Sequence, residues 1–305
     1  MISRSVGIAV LGVAVATGAR AQSLPVIVFN DVTSGLSDLV AVWTSPFRGS
    51  GSDYLTAGMV LGGAGVLSLA DDEIGRWIFE HPEHGAMKAL EPFREDSWTR
   101  LIDLGGAKHV GTYTAAMYVT GLVAGSADLR DAAVGCFASV QANAAPRSLV
   151  YDAVSRERPL YMLIENGDTL LRRRGEPYSF AVPGEDTWYD NSFFGGHGAN
   201  VMGCASFINH RFDLGIAEPL IWGVAFGVNI GRMADQRHWT SDTAVGVAVG
   251  FAIGKYVAER SRARAERREA RGEREEDDGD GGLLSGVFVQ RGTQGETLVG
   301  WRKQF

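Results

Sequence analysis

The sequence has few cysteines, a deficit of basic charge and no long hydrophobic run, and each lack narrows what the chain can be. Only 2 of its 305 residues are cysteine. Cys136 and Cys204 lie in apolar contexts at a spacing that demands no bridge, and both are expected as buried free thiols. With 29 Lys and Arg against 36 Asp and Glu, the formal net charge is −7. No global positive field exists to attract a polyanion, which argues against a nucleic-acid partner. The apolar stretches run about 14 to 17 residues, short of the about 20 that a membrane-spanning helix needs. Mean hydropathy is −0.02. These features favour a soluble or membrane-surface helical bundle over a polytopic membrane protein.

What is present begins with an export signal. Arg4 lies in a short n-region, Val6 to Ala16 is apolar, and Ala19-Arg20-Ala21 fits the small-x-small cleavage pattern. Residues 1–21 are therefore expected to be removed, leaving a protein that works in the periplasm, where a cysteine bridge is permitted. Residues 22–52 read as a mixed N-terminal extension that ends in a Ser- and Gly-rich loop. Apolar patterning then predicts helices over 53–70, 84–103, 107–126, 128–156, 197–210, 215–232 and 238–270. Many of the 40 glycines fall inside apolar runs such as Leu61-Gly62-Gly63-Ala64-Gly65-Val66, where small residues would let helices approach closely. The stretch from Leu160 to Ser192 is rich in Gly, Pro and charge, and reads as a long irregular loop, a functional lid or a disordered segment. Residues 259–282 form a charged linker, and 283–305 read as one β-hairpin about a Gly292–Gly295 turn. The fold class is all-α, a helical domain over 53–258 with a short C-terminal β-hairpin.

Three segments converge on one task. The first is Ser155-Arg156-Glu157-Arg158-Pro159, at a helix end. The second is Ser192-Phe193-Phe194-Gly195-Gly196-His197-Gly198, opening a helix. The third runs from Gly231-Arg232 to His238 and Asp242. His238 and Asp242 are four apart at a helix start, so a shared face would let the carboxylate accept the imidazole N–H and raise its nucleophilicity. Arg232 and Arg158 can each present a guanidinium fork to a tetrahedral oxyanion. Consecutive glycines before a helix let backbone N–H groups approach an anion, with His197 beside it as a general acid. Each segment alone is commonplace; their joint occurrence in this order is not. His81 and His84 could suggest a metal pair, but Pro82 and the charged surroundings favour a solvated loop, and no metal site is expected.

The order Arg-Pro, Gly-His, then Arg-x-x-x-x-x-His-x-x-x-Asp resembles the three-part signature of the type 2 phosphatidic acid phosphatase and vanadium haloperoxidase superfamily. The signature covers residues 151–242. The resemblance implies a bundle of about six core helices. It also implies a nucleophilic His238 oriented by Asp242, with His197 protonating the leaving oxygen. Arg158, Arg232, Gly195 and Gly196 would hold the phosphoryl oxygens. Three positions depart from the pattern. The family's Lys is Tyr151, the serine of Pro-Ser-Gly-His is Gly195, and the Ser before the third-part Arg is Gly231. Losing an oxyanion donor costs about 10²- to 10³-fold in rate, so losing Lys and Ser together costs on the order of 10⁴. Arg147, one turn before Tyr151, could supply the missing positive charge; with Arg156 it is expected around the site rather than in it.

The resulting expectation is a metal-independent phosphohydrolase, of acid phosphatase or lipid phosphatase type, with reduced activity. Its substrate would be a phosphomonoester or pyrophosphate, a small molecule or a lipid, and a membrane surface is a candidate partner. No cofactor is expected, and vanadate should act as a phosphate mimic and inhibitor. Two alternatives stand beside it: a weakened protein of the same fold that binds a phosphorylated ligand, and a vanadate-dependent haloperoxidase.

Overall fold

A computed structural model describes residues 23–165, 168–180, 192–270, 287–291 and 297–301. The expected signal at 1–21, the later part of the charged linker and the turn of the C-terminal hairpin lie outside these residues. The described chain is mostly helical. The helices are α1 (Leu24–Thr44), α2 (Gly51–Ser68), α3 (Asp71–Glu80), α4 (Gly85–Ala89), α5 (Ala107–Ala124), α6 (Ala127–Val154), α7 (Gly196–Arg211), α8 (Ala217–Ala234) and α9 (Thr240–Ala270). Strands β1 (Leu160–Glu165) and β2 (Asp168–Arg174) pair antiparallel, as do β3 (Val287–Arg291) and β4 (Thr297–Trp301).

Local chemistry sets several boundaries. Ser50 and Asp53 form a reciprocal capping box at the start of α2, satisfying two donors that a helix start leaves orphaned. Gly125 closes α5 in the left-handed conformation, and Ser126 then caps α6 through the Leu129 N–H. Ser155, at φ 42°, ends α6 and turns the chain into the Arg156–Arg158 segment.

Helix α7 is the centre of the bundle: Gly196 is buried, as is every residue from Gly198 to Phe207. It packs against α6, α8 and, most extensively, α9. Glycines spaced four apart on α9 make the last contact possible. A Cβ at Gly250 would overlap the Ala199 carbonyl, and one at Gly254 would overlap the Gly203 carbonyl. Backbone therefore lies on backbone along a ladder that begins at Gly246, beside Gly195. This ladder fixes the start of α7, with His197, against the start of α9, with His238.

Five expectations are corrected. Residues 22–50 are mostly one helix, α1, whose Asp31 and Asp38 are turned inward onto Arg130 and onto Arg260 and Arg264. The expected helix 84–103 is short α4 followed by 3-10 turns at Glu91–Phe93 and Leu101–Gly105, since Pro92 and the Arg94–Trp98 stretch break it. The loop after Leu160 contains the β1–β2 ribbon. Cys136 and Cys204 are not free thiols: they form a disulfide between α6 and α7. The glycines of the Leu61–Val66 run also behave otherwise than expected, because Gly62, Gly63 and Gly65 face open space. Leu24–Phe47 is long and apolar enough to cross a membrane by length and composition. So, taken together, is the pair α2 and α3, which is bent by 53°.

Candidate active site

The three segments singled out in the sequence meet at the N-terminal ends of α7 and α9. His238 is buried, and its Nδ1 lies 2.7 Å from the carbonyl oxygen of Ser192. A carbonyl can only accept, so Nδ1 carries the ring proton. Burial first, then Arg232 and Arg158, push the His238 pKa well below its ordinary value. The ring is therefore neutral, with its lone pair on Nε2.

Asp242 is not the direct partner that the spacing suggested. Its Oδ2 accepts the Ser192 hydroxyl and, at 3.0 Å, the Trp239 N–H, while Oδ1 pairs with Arg156. The reason is local. His238 lies before the first residue of α9, where four-residue spacing no longer places two side chains on one helical face. A carboxylate at the third helical position instead reaches back to the N-cap N–H. Asp242 thus acts on His238 through Ser192, whose hydroxyl it holds and whose carbonyl holds the imidazole.

Arg156 is buried and belongs to this support. It donates to Asp71 at 2.9 Å, Ser241 at 2.9 Å and Pro177 O at 2.8 Å, and lies over the Trp239 ring at 5.6 Å. Asp71, fully buried at the start of α3, also accepts the Ser241 N–H. Each of the two carboxylates sits in the first turn of a helix, where the helix dipole favours negative charge. The Trp239 indole donates to Glu157 O at 2.8 Å, tying the Arg156–Arg158 segment to the residue after His238.

His197, in the first turn of α7, is largely enclosed, with the Gly105–Gly106 turn against it. Burial, then Arg232, pull its pKa down to about 4, with Glu95 opposing and Arg147 and Arg158 adding to the fall. Burial and Arg232 likewise lower Arg158 to about 10. Arg232 is buried at the end of α8, and its Nε has no hydrogen-bond partner. Such an atom costs free energy unless a ligand oxygen meets it.

The departures from the resembled pattern have structural counterparts. Tyr151 donates to Phe194 O at 3.2 Å, and its hydroxyl stands beside Gly196, against the turn expected to hold an anion. Arg147 reaches the same glycine. A Cβ there would lie 2.7 Å from Arg147 Nη1, and the guanidinium lies 5.8 Å from the Tyr151 ring centre. Gly195 has room for a side chain, its nearest neighbours being His238 and Asp242 atoms at 3.7 Å. Gly231 has none, because a Cβ would overlap the Phe93 carbonyl.

Sequence reasoning missed four residues of this arrangement. Ser192 headed the second segment without being given a role. Asp71 and Ser241 are ordinary helix-start residues in sequence. Glu95, which pairs with Arg232 and with Arg237 at 2.7 Å, lies 137 residues before Arg232 and carries no motif. A cavity of about 270 Å³ bordered by Asp31, Arg130 and Arg211 includes none of these residues. His81 stacks on Trp77, and His84 meets the same ring edge-on.

A family model described as the PAP2 superfamily matches residues 132–265, from α6 to α9. That span holds the residues of the site except Asp71, Glu95 and the Gly105–Gly106 turn. No curated protein matches the chain, and no solved structure does.

Proposed function

We propose, from the match of residues 132–265 to the PAP2 superfamily model, that the protein is a phosphohydrolase that forms a phosphohistidine on His238. The observation that carries this reading is the His238 ring, held by the Ser192 carbonyl so that Nε2 keeps its lone pair. In the proposed reaction Nε2 attacks phosphorus, the bond from phosphorus to the leaving oxygen breaks, and that oxygen takes the proton of His197. Water then attacks the phosphohistidine, His197 accepts its proton, and the P–N bond breaks to free His238 and phosphate. Arg158 and the unpartnered Nε of Arg232 would meet phosphoryl oxygens, with the Gly195–Gly196 turn beside them. Arg147 would supply the cation that the family places at position 151. Asp242, Ser192 and Arg156 act as positioning residues.

The proposed substrate is a phosphomonoester or pyrophosphate, and the proposed setting is outside the cytoplasm, on a membrane surface. The test is phosphate release from a panel of soluble and lipid phosphate esters. Wild-type protein should release phosphate under inhibition by vanadate, and His238→Ala should lower the rate by about 10⁴-fold or more, the scale of losing a nucleophile. Release from no ester, or equal release by the variant, would sink the reading. A second reading, a protein that binds a phosphorylated ligand without turnover, is favoured by Tyr151 in place of the lysine; phosphate binding without release would support it.

A further inference from the structure

Arg232 offers its Nε to the site, while its Nη1 is already taken. Glu95 Oε1 pairs with Arg232 Nη1, and Glu95 Oε2 accepts from Arg237 Nε at 3.1 Å and Nη2 at 2.7 Å. Glu95 is about a third exposed, whereas Arg232 is only 6% exposed at its side chain. The carboxylate therefore approaches from the solvent side and can swing out to water, while the guanidinium cannot follow.

The segment that brings Glu95 there is clamped onto the end of α8. The Phe93 backbone lies against Gly231, and its ring lies against Gly227. Arg94 Nε donates to Asp235 Oδ1 at 2.9 Å, and the Glu95 N–H donates to Asp235 Oδ2 at 2.8 Å. A serine at position 231, where the resembled signature has one, would collide with the Phe93 carbonyl. The glycine there is what lets this segment, and with it Glu95, lie beside Arg232.

We propose that Glu95 is an internal counter-ion on Arg232 Nη1, beside the unpartnered Nε, and that its charge opposes an incoming phosphoryl group. This rests on the phosphate-site reading above. The carboxylate balances the paired charges of Arg232 and Arg237. When orthophosphate forms, the carboxylate on the same guanidinium repels it and speeds its departure. Glu95 thereby sets how weakly the protein holds inorganic phosphate.

The experiment is calorimetric titration of the full-length protein with inorganic phosphate, comparing wild type with Glu95→Gln, Glu95→Ala and Arg232→Ala. Removing the opposing charge should tighten phosphate binding about tenfold or more in both Glu95 variants, because a like charge beside the bound anion is gone. Arg232→Ala should abolish binding. If Glu95 only held Arg232 in position, both Glu95 variants would bind phosphate more weakly, and that sign, or no change, overturns the proposal. Circular dichroism identifies any variant that fails to fold, and the two Glu95 variants serve as replicates for one another. Wild-type binding that depends on Arg232 but does not tighten without Glu95 defeats the counter-ion alone. Absence of binding in wild type and variants alike defeats the phosphate-site reading with it.

Discussion

At His197 the cations that would hold a phosphoryl group work against the charge that a general acid needs. Burial and Arg232 bring its pKa to about 4, and Arg147 and Arg158 contribute. A depressed histidine loses its proton as pH rises through the lowered value, so in the free protein the acid form is present only below about 4. The specificity constant kcat/KM reports the free protein's groups. It should therefore fall as pH rises above that value, while the break in kcat should lie higher, because a bound phosphate dianion offsets the arginines. Replacing Arg147 with Gln removes one cation and should move the kcat/KM limb to higher pH by roughly half a unit to one unit. An unmoved limb would place Arg147 outside the field of His197. The side chains in this network were legible in the sequence because they fall in short ordered segments. The link from Asp242 to His238 was not legible, because His238 precedes α9 and four-residue spacing does not put the two on one face there.

Between elements, structure was legible where one helix's pattern sufficed and hidden where two chain segments had to meet. Helices α5 to α9 follow the apolar patterning closely. The Cys136–Cys204 bridge was not legible, because it depends on α6 and α7 crossing at those two residues, 68 positions apart. The β1–β2 ribbon was hidden by a charge-rich sequence, and Glu95 by its distance from every motif. The bridge supports a stability prediction. A loop of that length gives a disulfide an entropic contribution of about 4 kcal/mol. The Cys136→Ala, Cys204→Ala double variant should therefore unfold at clearly lower denaturant concentration than wild type, and reductant should lower wild type alone. Equal midpoints for the two proteins would mean that the thiols are not bridged. Because the bridge ties α7 to α6, and α6 leads into Arg156 and Arg158, its loss should also loosen the site.

For the whole molecule, what matters is which side is apolar. Phe29, Val32, Leu36, Val40 and Trp43 fall on one outward stripe of α1, and Leu55, Met59 and Val66 of α2 are exposed as well. On its other side α1 meets α9: Asp38 takes Arg260 and Arg264, while Glu259, Arg262 and Glu266 of α9 remain exposed. Immersing the bundle at that level would carry these charges into hydrocarbon, at about 2.5 to 3.5 kcal/mol each even on the mildest scales. Resting the α1 stripe on a bilayer would not. The proposed membrane setting is therefore lateral contact rather than a span. The protein should sediment with zwitterionic lipid vesicles and stay bound at high salt, because an apolar contact is not screened. Changing Phe29, Leu36 and Val40 together to Ser should release it while leaving hydrolysis of a soluble phosphate ester intact, since none of the three touches the site. Release by salt would mean that charge holds the protein there, and a triple variant that still sediments would move the contact off α1.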